Sequence, residues 1–349
     1  MFAILGTIVI ILVLVVMIQI SRTSEMVSEL KGDLDSYEES GKITGLGMLL
    51  FLIFGLIGVV YCVFAYGPML LPEASSVHGV ATDNLFWTTA SITGIVFVIT
   101  NIMVFWFAFR YSEKKGQKAL YYPDNHKLEL IWTVVPSIVL TILVIMGLTR
   151  WNEIFSPAPE DALLIEINGK QFQWIPRYPG VDGELGPRDI SNVSPENEFG
   201  IDWTDQSSQD DLFPSEIHIV VDRPVDFSIR AQDVLHSFYL PHFRVKMDAV
   251  PGIPTRFWFT PTKTSAEMKE ITGNPEFVYE LACAELCGKA HSNMRLEVIV
   301  ETQEEYDEWL TTLKPLYESI KASLPEEAVT DETSLAENSI EVTEESATN

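Results

Sequence analysis

The most regular feature of the chain is a change from long apolar runs to short alternating ones. Residues 2–20, 43–66, 85–109 and 128–148 form four apolar runs, and each is close to the roughly 20 residues that a helix needs to cross a bilayer. None of the four runs has an interior Lys or Arg, which favours membrane-spanning helices over helices buried in a protein core. The pattern therefore predicts four spans before residue 150.

Basic residues in the connections predict the orientation of these spans. Residues 43–109 contain no Lys or Arg, whereas Arg110 and four lysines follow before the last run. Because cytoplasmic connections are rich in Lys and Arg, the region after Trp151 is expected on the outer side. The first run is expected to remain as a span. A cleaved signal peptide is the alternative, but no basic residue precedes the run.

From Leu163 onward, apolar and polar residues alternate in short runs separated by Pro, Gly and Asp. Runs with this period of two between turn residues predict β-strands, and their number predicts an all-β sandwich or a small barrel. The runs are LLIEINGKQFQW, EIHIVV, VDFSIRA, TRFWFTP, EFVYELA and MRLEVIVE.

Composition shows that the chain is strongly acidic, mostly after residue 150. The net charge of the whole chain is −26, which argues against nucleic acid as a partner because binding phosphates requires Lys and Arg. Residues 181–216 hold ten acids and one base, which predicts a long surface insertion. Residues 303–324 show helical spacing, and residues 325–349 hold eight acids without Lys or Arg, which predicts a disordered tail.

Two of the three cysteines lie in residues 283–294, CAELCGKAHSNM, together with a histidine and a methionine. The spacing C-x3-C-x3-H-x2-M on a loop between two predicted strands indicates a metal site. Thiolate, imidazole and a weak thioether favour copper over zinc. Because a single copper of this type takes one thiolate, the second cysteine favours two bridged copper ions. A disulfide between the two cysteines is the alternative.

Two copper ions require a second imidazole from elsewhere in the outer region. The other histidines there are His218, His236 and His242. His236 is favoured because it lies at the end of an alternating run, from which a hairpin or two returns the chain to Cys283. A backbone carbonyl is a candidate for a further weak ligand. Cys62 lies in an apolar run and is expected to be an ordinary buried thiol.

Three segments resemble subunit II of the haem–copper cytochrome c oxidases. CAELCGKAHSNM resembles the dinuclear copper loop of that family, DVLHSFYLPHFRVKMDAVPG its first-ligand segment, and LELIWTVVPSIVL the second helix of its two-helix hairpin. The resemblance extends from about residue 85 to residue 300 and implies a cupredoxin-like Greek-key sandwich outside the membrane. The implied ligands of its dinuclear copper centre (copper A) are His236, Cys283, the Glu285 carbonyl, Cys287, His291 and Met294.

The resemblance also implies roles for residues around the copper site. The Glu285 carboxylate matches a ligand of a magnesium ion shared with subunit I, and Lys246 and Asp248 match residues near this junction. Glu129 matches the glutamate at the entrance of a proton channel into subunit I, and Asp233 matches an acid used for docking cytochrome c.

The chain departs from the family pattern where electrons enter. The segment GKQFQW has Phe172 in place of the first family tryptophan and keeps the second as Trp174. His242 and Arg244 occupy positions that are small or apolar in the family, which predicts a different local docking face. No C-x-x-C-H sequence occurs, so this chain is expected to bind no haem.

The predicted function is that of an electron-transfer subunit of a respiratory terminal oxidase, in which subunit I reduces oxygen to water and pumps protons. The expected partners are subunit I, other oxidase subunits, membrane lipid, and either cytochrome c or a haem c domain of an adjacent quinol-oxidising complex. The expected location is the bacterial inner membrane, with the copper domain on the periplasmic side. A quinol oxidase subunit II is disfavoured because the copper ligands are present. A copper-A subunit of a nitric-oxide reductase and a membrane-anchored copper carrier remain as alternatives.

These features predict six segments along the chain. They are an additional N-terminal helix and cytoplasmic loop (1–42), a second additional helix and outer loop (43–84), the helical hairpin (85–151), the cupredoxin-like copper domain with its acidic insertion (152–302), a C-terminal helix (303–324) and the acidic tail (325–349).

Overall fold

The structure is a computed structural model that describes residues 2–31, 34–112, 117–194 and 197–321. The predicted tail (325–349) lies outside these residues. The α-helices are α1 (Phe2–Lys31), α2 (Leu34–Tyr66), α3 (Val77–Arg110), α4 (His126–Ile154), α5 (Gln206–Gln209), α6 (Ser265–Thr272), α7 (Gln303–Thr312) and α8 (Leu316–Ile320). The strands are β1 (Leu163–Lys170), β2 (Gln173–Arg177), β3 (Ile217–Val220), β4 (Val225–Ala231), β5 (His236–Leu240), β6 (Val245–Ala249), β7 (Thr255–Phe259), β8 (Tyr279–Cys283) and β9 (Arg295–Glu301).

The chain divides into a helical unit, formed by residues up to 71 and 86–144, and a β unit, formed by residues 72–85 and those from 145 onward. Among the described residues, three helical stretches are long and apolar enough to cross a membrane. They are Gly41–Met69, Val77–Arg110 and His126–Ile154, with mean hydropathies of 2.7, 2.2 and 2.4. Their apolar side chains are largely exposed, as suits contact with lipid. The first predicted run lies in α1, and its crossing of the membrane stays a prediction.

The β unit is a sandwich of two sheets. One sheet has the strand order β2-β1-β4-β7 and the other β3-β9-β8-β5-β6. The pairs β1–β4 and β3–β9 are parallel, whereas the other neighbours are antiparallel. Parallel neighbours cannot be joined by a hairpin, so the chain crosses between the sheets, as in Greek-key sandwiches. The predicted all-β sandwich is confirmed.

The core lies between the two sheets. Ile165 and Ile167 of β1 are fully buried, as are Phe227 of β4 and Phe238 of β5. The Phe227 and Phe238 ring centroids lie 5.0 Å apart and so join the two sheets. Burying each such side chain contributes roughly 1.5–3 kcal/mol.

Two details of the strand pattern differ from the sequence interpretation. The run LLIEINGKQFQW folds into the hairpin β1–β2, with Gly169 opposite Trp174. His236 begins β5 instead of ending a strand. The preceding strand β4 ends at Ala231, and Asp233 lies in the bend before β5, where its carboxylate accepts a hydrogen bond of 2.7 Å from the amide of Val234.

The acidic insertion and the C-terminal segment pack together. Ile201 and Trp203 of the insertion are buried, and the Trp203 ring centroid lies 6.1 Å from that of Tyr317 in α8. The insertion thus has exposed acids and also buried apolar side chains, which pack against the C-terminal segment. The helix predicted over 303–324 is two helices, α7 and α8, because Pro315 interrupts the helical hydrogen bonding.

Candidate metal centre

The predicted ligand residues lie at the ends of three strands of one sheet. His236 begins β5, Cys283 ends β8, and Met294 directly precedes β9. The loop between β8 and β9 is closed at its base, because the Cys283 amide donates to the Met294 carbonyl over 3.2 Å. The Ala284 amide donates to the Ser237 carbonyl over 3.0 Å and ties the loop to β5. Rigid strands thus hold a short loop that carries the other donors.

The donor atoms form one compact cage. The Sγ atoms of Cys283 and Cys287 and a ring nitrogen of His236 all lie within 4.8 Å of one another. His236 Nδ1 is 3.9 Å from Cys283 Sγ, and His291 Nδ1 is 3.6 Å from Cys287 Sγ. The structure therefore brings each imidazole next to a different thiol.

Two weaker donors complete the cage. Met294 Sδ lies 3.8 Å from Cys287 Sγ, and the Glu285 carbonyl oxygen lies 3.1 Å from Cys283 Sγ. Each sulfur atom thus has one imidazole and one weak donor beside it. All six donors that the sequence singled out are brought together.

The site is buried and its cysteines are free thiols. Of the ligand residues, His236 and Met294 are fully buried and Cys287 is nearly so. Cys283 and Cys287 do not form a disulfide. Burial raises the pKa of the Cys287 thiol to about 11, and the neighbouring Cys283 adds to this rise. A cation beside Cys287 would stabilise its thiolate form.

The chemistry of the donor set fits copper. Two thiols, two imidazole nitrogens and a thioether are soft or intermediate donors, which copper prefers and which magnesium does not bind. Zinc takes Cys and His but seldom a thioether. The cage therefore fits the copper that the sequence indicated, held by His236, Cys283, Cys287, His291 and Met294.

Asp233 orients His236 from outside the cage. Its Oδ1 accepts a hydrogen bond of 2.9 Å from His236 Nε2, which leaves Nδ1 facing the sulfur atoms. Its Oδ2 accepts a hydrogen bond of 2.7 Å from the Gln171 amide. Although burial opposes ionisation, these hydrogen bonds hold the pKa of Asp233 below its ordinary value. Sequence analysis missed this contact, although the spacing of three residues between Asp233 and His236 was a signal for it.

The two aromatic residues of GKQFQW occupy different depths. Trp174 is buried, and its ring centroid lies 5.8 Å from that of His236. Phe172 is only half-buried and lies against Gly288 of the ligand loop, where a Cβ atom would come within 3.0 Å of its ring. Gln171 Nε2 donates to the Cys287 carbonyl over 2.6 Å and holds the same loop. The β1–β2 turn thus holds the ligand loop in place through the contacts of Gln171 and Phe172.

The residues predicted near a magnesium junction lie close in the fold. The Glu285 side chain is exposed on the ligand loop. Asp248 of β6 accepts a hydrogen bond of 2.8 Å from Ser237, the neighbour of His236, and Lys246 is exposed on the same strand. This arrangement places two carboxylates near the cage.

The remaining histidines of the β unit have other environments. His218 lies between Glu301 and Glu216, with ring-nitrogen distances of 2.7 and 3.1 Å, and stacks on Trp309. The His242 ring packs edge-on against Phe277 and Tyr279. Neither is part of the cage, which supports the choice of His236.

Arg244 has a structural contact that sequence analysis did not anticipate. Its guanidinium pairs with Asp83 through two hydrogen bonds of 2.8 Å. It also donates to the Pro72 carbonyl over 2.5 Å. Arg244 thus ties the segment 72–85 to the sandwich, and this contact gives a reason for an arginine at this position.

In the helical unit, Glu129 lies in the first turn of α4. His126 Nδ1 is 3.2 Å from the Glu129 carboxylate. Both side chains are exposed, and the predicted proton role of Glu129 stays a prediction.

Comparison with known proteins places this architecture in a family. Residues 163–302 match the family description "Cytochrome C oxidase subunit II, periplasmic domain", and residues 65–149 match the corresponding transmembrane domain. The alternative cytochrome c oxidase subunit 2 of Bradyrhizobium diazoefficiens is 40% identical over 231 residues, which are 66% of this chain and 77% of that one. Cytochrome c oxidase subunit 2 of Thermostichus vulcanus is 27% identical over 266 residues, 69% of this chain and 77% of that one.

A solved structure is also similar. The periplasmic domain of subunit II of cytochrome oxidase from Bradyrhizobium japonicum is 27% identical, with a TM-score of 0.31, and the match covers 44% of this chain and 94% of that domain.

The fold and the site define a membrane-anchored cupredoxin-like subunit with a buried Cys/His cage. The chain belongs to the cytochrome c oxidase subunit II family. The prediction of an electron-transfer subunit of a cytochrome c oxidase is thereby confirmed. Subunit I as its partner stays a prediction. It is a membrane protein with an extracellular β domain.

Proposed function

We propose that the β domain holds a dinuclear copper centre and that the oxidase receives electrons from cytochrome c at this domain. The observation that carries the proposal is the cage itself, in which two buried free thiols each have their own imidazole and their own weak donor. A single copper held by one thiolate, two imidazoles and a weak thioether would leave the second thiol unused. The proposed ligands are His236, Cys283, the Glu285 carbonyl, Cys287, His291 and Met294.

The surrounding residues keep this cage rigid and dry. A bound copper pair supplies a reversible one-electron site. Asp233 fixes the His236 ring, and Gln171 holds the ligand loop through the Cys287 carbonyl. The buried side chains of Trp174 and Met294 exclude water. Fixed ligand positions and a dry environment favour electron transfer over chemistry on a substrate.

The position of the aromatic residues supports an inward route for electrons. Phe172 is half-exposed beside the ligand loop, and Trp174 lies beneath it against His236. Leu286, next to Cys287, is 79% exposed. We propose that electrons enter here, and that Asp233 contributes to docking through its exposed part.

Further roles follow from family membership. We propose that the exposed Glu285 carboxylate binds a magnesium ion together with side chains of subunit I. We also propose that Glu129 stands at the entrance of the proton channel of subunit I, and its neighbour His126 supplies a second titratable group. The proposed location is the bacterial inner membrane, with the β domain in the periplasm.

The proposed function is tested with the purified oxidase complex. Oxygen uptake supported by reduced cytochrome c is measured for the wild type, for His236→Leu and for His218→Gln as the control. Because His236 is a proposed ligand and the His218 ring lies outside the cage, only His236→Leu is expected to lose copper and oxygen uptake. Full oxidation of cytochrome c by His236→Leu, with the copper content unchanged, would contradict the proposal.

A further inference from the structure

The turn between β5 and β6 contains an arginine in a left-handed backbone conformation. Arg244 has a φ of 58° and follows β5, the strand that begins with the proposed copper ligand His236. Glycine and asparagine usually occupy such positions, because a larger side chain crowds the backbone there. A larger residue in this conformation persists only where its surroundings hold it in place. The contacts of the Arg244 side chain therefore show what holds this turn.

Every nitrogen atom of the Arg244 guanidinium donates a hydrogen bond. Nε and Nη2 donate to the two oxygen atoms of the Asp83 carboxylate, each over 2.8 Å. Nη1 donates to the Pro241 carbonyl over 2.6 Å, and Nη2 also donates to the Pro72 carbonyl over 2.5 Å. The Arg244 and Asp83 side chains are only 10% and 21% exposed. A largely buried, two-pronged pair of this kind has one defined geometry.

The pair connects the sandwich to the start of a membrane helix. Asp83 lies in the second turn of α3, and residues 72–85 belong to the β unit. From these turns α3 continues as one helix to Arg110, and it is long and apolar enough to cross a membrane. The Arg244–Asp83 contact therefore fixes the β5–β6 turn to the first turns of α3.

Two serines before α3 bind the same turn. The Ser75 amide donates to the His242 carbonyl over 2.8 Å, and the Ser76 hydroxyl donates to the Phe243 carbonyl over 2.7 Å. Both serines are fully buried. Together with the carbonyl that Arg244 binds, three successive carbonyls of the turn accept hydrogen bonds at this contact. The turn is thus held at several points.

The first turn of α3 packs closely on the β5–β6 turn. A Cβ atom at Gly79 would lie 2.8 Å from Ser76 Oγ and 3.2 Å from Arg244 Cγ. There is therefore no room for a side chain between the helix and the turn. Contacts this close leave little freedom for one element to move against the other.

The turn is continuous with two of the proposed copper ligands. β5 pairs with β6 over the whole length of β5, which begins with His236. β5 also pairs with β8, where Phe238 lies opposite Cys283. Because these strands are hydrogen-bonded to one another and packed in the core, a displacement of the turn displaces both ligands.

We propose that Arg244, through its pair with Asp83, is a positioning residue for the exit of electrons from the copper centre. It holds the β5–β6 hairpin on α3, so that the copper pair keeps a fixed distance from the haem that accepts the electron. The step moves one electron from the reduced copper pair to an oxidised haem, and no bond forms or breaks. The proposal rests on the proposed function, since it requires copper in the cage and a haem in the complex.

The first measurement is hydrogen–deuterium exchange of the purified oxidase complex, followed in peptides that cover residues 72–85. Arg244→Met removes the guanidinium and keeps a long side chain. Without the pair, the amides that bind the turn open more often, so we expect exchange in this segment to be faster by at least about tenfold. This readout does not depend on the activity of the oxidase.

Arg223→Met is the matched control. Arg223 also joins segments that are far apart in sequence, because its guanidinium donates to the Asp161 carbonyl and to the Gln303 side chain. Neither partner belongs to residues 72–85. We therefore expect Arg223→Met to leave both the exchange in that segment and the electron-transfer rates as in the wild type.

The second measurement follows the electron in rapid-mixing experiments with reduced cytochrome c. Reduction of the copper and the later reduction of the haem are recorded as separate optical signals. In Arg244→Met we expect unchanged copper per chain and copper reduction within about twofold of the wild type. We expect haem reduction by the copper to be slower by at least about threefold, because a small misplacement of reacting groups lowers the rate. General destabilisation of the domain would affect both steps.

Two further variants test whether the pair acts as a unit. Asp83→Asn removes the charge at the same size and is expected to slow haem reduction as Arg244→Met does. Because both residues act through one contact, the double variant is expected to be no slower than either single variant. Arg244→Lys keeps the charge without the two-pronged geometry and is expected to give an intermediate rate.

Three results would overturn the proposal. They are wild-type exchange of residues 72–85 in Arg244→Met, equal slowing or no slowing of the two electron-transfer steps, and independent effects of the two single variants in the double variant. If Arg244→Met does not assemble, Asp83→Asn decides by the same readouts. A wild type without copper would contradict the proposed function and this inference with it, whereas a copper-loaded wild type with unaffected variants would contradict this inference alone.

Discussion

The two faces of strand β1 carry opposite chemistry. On the inner face, Ile165 and Ile167 pack in the core, and Gly169 lies against Trp174 and His236 at the metal cage. On the outer face, Glu166 and Asn168 are buried beneath the acidic insertion. The period of two along a strand separates the faces, so one short segment supports two different buried environments.

The difference lies in how each face satisfies its polar groups. At the cage, every proposed ligand has another donor close by, and His236 is fixed by Asp233. On the outer face, the Glu166 carboxylate forms ion pairs with three arginines (the outer cluster), whereas the Asn168 side chain has no hydrogen-bond partner among the described residues. The comparison predicts that changes on the inner face affect the metal and that changes on the outer face affect the stability of the domain.

The largest effect is expected from Cys287→Ser. Serine replaces a proposed bridging thiolate, so the variant is expected to lose the copper pair and nearly all oxygen uptake with cytochrome c. Cys62→Ser is the control and should keep both, because this thiol lies in α2 outside the cage. Contrary to the expectation of a buried thiol, Cys62 is exposed in this apolar helix. The readouts are copper per chain and oxygen uptake. Two coppers per chain in Cys287→Ser would refute bridging by this residue.

The next largest effect is expected from Arg177→Met on the outer face. Removing this buried guanidinium leaves the buried carboxylates of Glu166 and Asp211 with less positive charge beside them. We therefore expect the β domain to lose about 3–5 kcal/mol of unfolding free energy. Arg295→Met breaks an exposed pair with Glu280 and should cost about 1 kcal/mol or less. Denaturant unfolding of the full chain in detergent measures both. Equal losses in the two variants would show that the outer cluster does not stabilise the domain.

Gly169→Ala tests how closely the inner face is packed against the cage. A Cβ atom at this position would lie 2.9 Å from the Trp174 ring and 3.1 Å from the His236 ring. Since both rings are enclosed, we expect a loss of about 1–3 kcal/mol and a changed copper resonance spectrum. Gly94→Ala, where a Cβ atom meets nothing within 4 Å, is the control. An unchanged spectrum with unchanged stability would mean that His236 is free to move.

The smallest effect is expected from Phe172→Leu. Loss of a half-exposed ring at the loop is expected to slow reduction of the domain by cytochrome c, by less than about tenfold, with copper content unchanged. Phe199→Leu removes a ring on the outer face and is the control, with no expected change in this rate. Rapid-mixing measurements of cytochrome c oxidation give both rates. A wild-type rate in Phe172→Leu would exclude its ring from the electron route.

Much of the cage was predictable because its donors are close in sequence. Cys283, Cys287, His291 and Met294 follow one another on a single loop, and alternation of apolar residues placed that loop between strands. His236 required the additional inference that a strand returns beside the loop. The β5–β8 pairing that brings it beside Cys283 was not recognised in the alternating pattern.

The outer cluster was not predictable because its members are far apart in sequence. Glu166, Arg188 and Arg230 meet only when β1 pairs with β4 and the insertion folds over both. In the sequence, Glu166 and Asn168 look like the solvent-facing positions of an alternating strand, and the insertion looks like an acidic surface loop. The contact of Arg244 with Asp83 escaped notice for the same reason.

The central claim is that this chain holds two copper ions in one cage. The most direct measurement is electron paramagnetic resonance of the purified chain or complex at one-electron oxidation, combined with copper analysis. The account predicts two coppers per chain and a seven-line hyperfine pattern from an electron shared equally between two copper nuclei. A single copper per chain with a four-line pattern, or a disulfide between Cys283 and Cys287 in active protein, would contradict it.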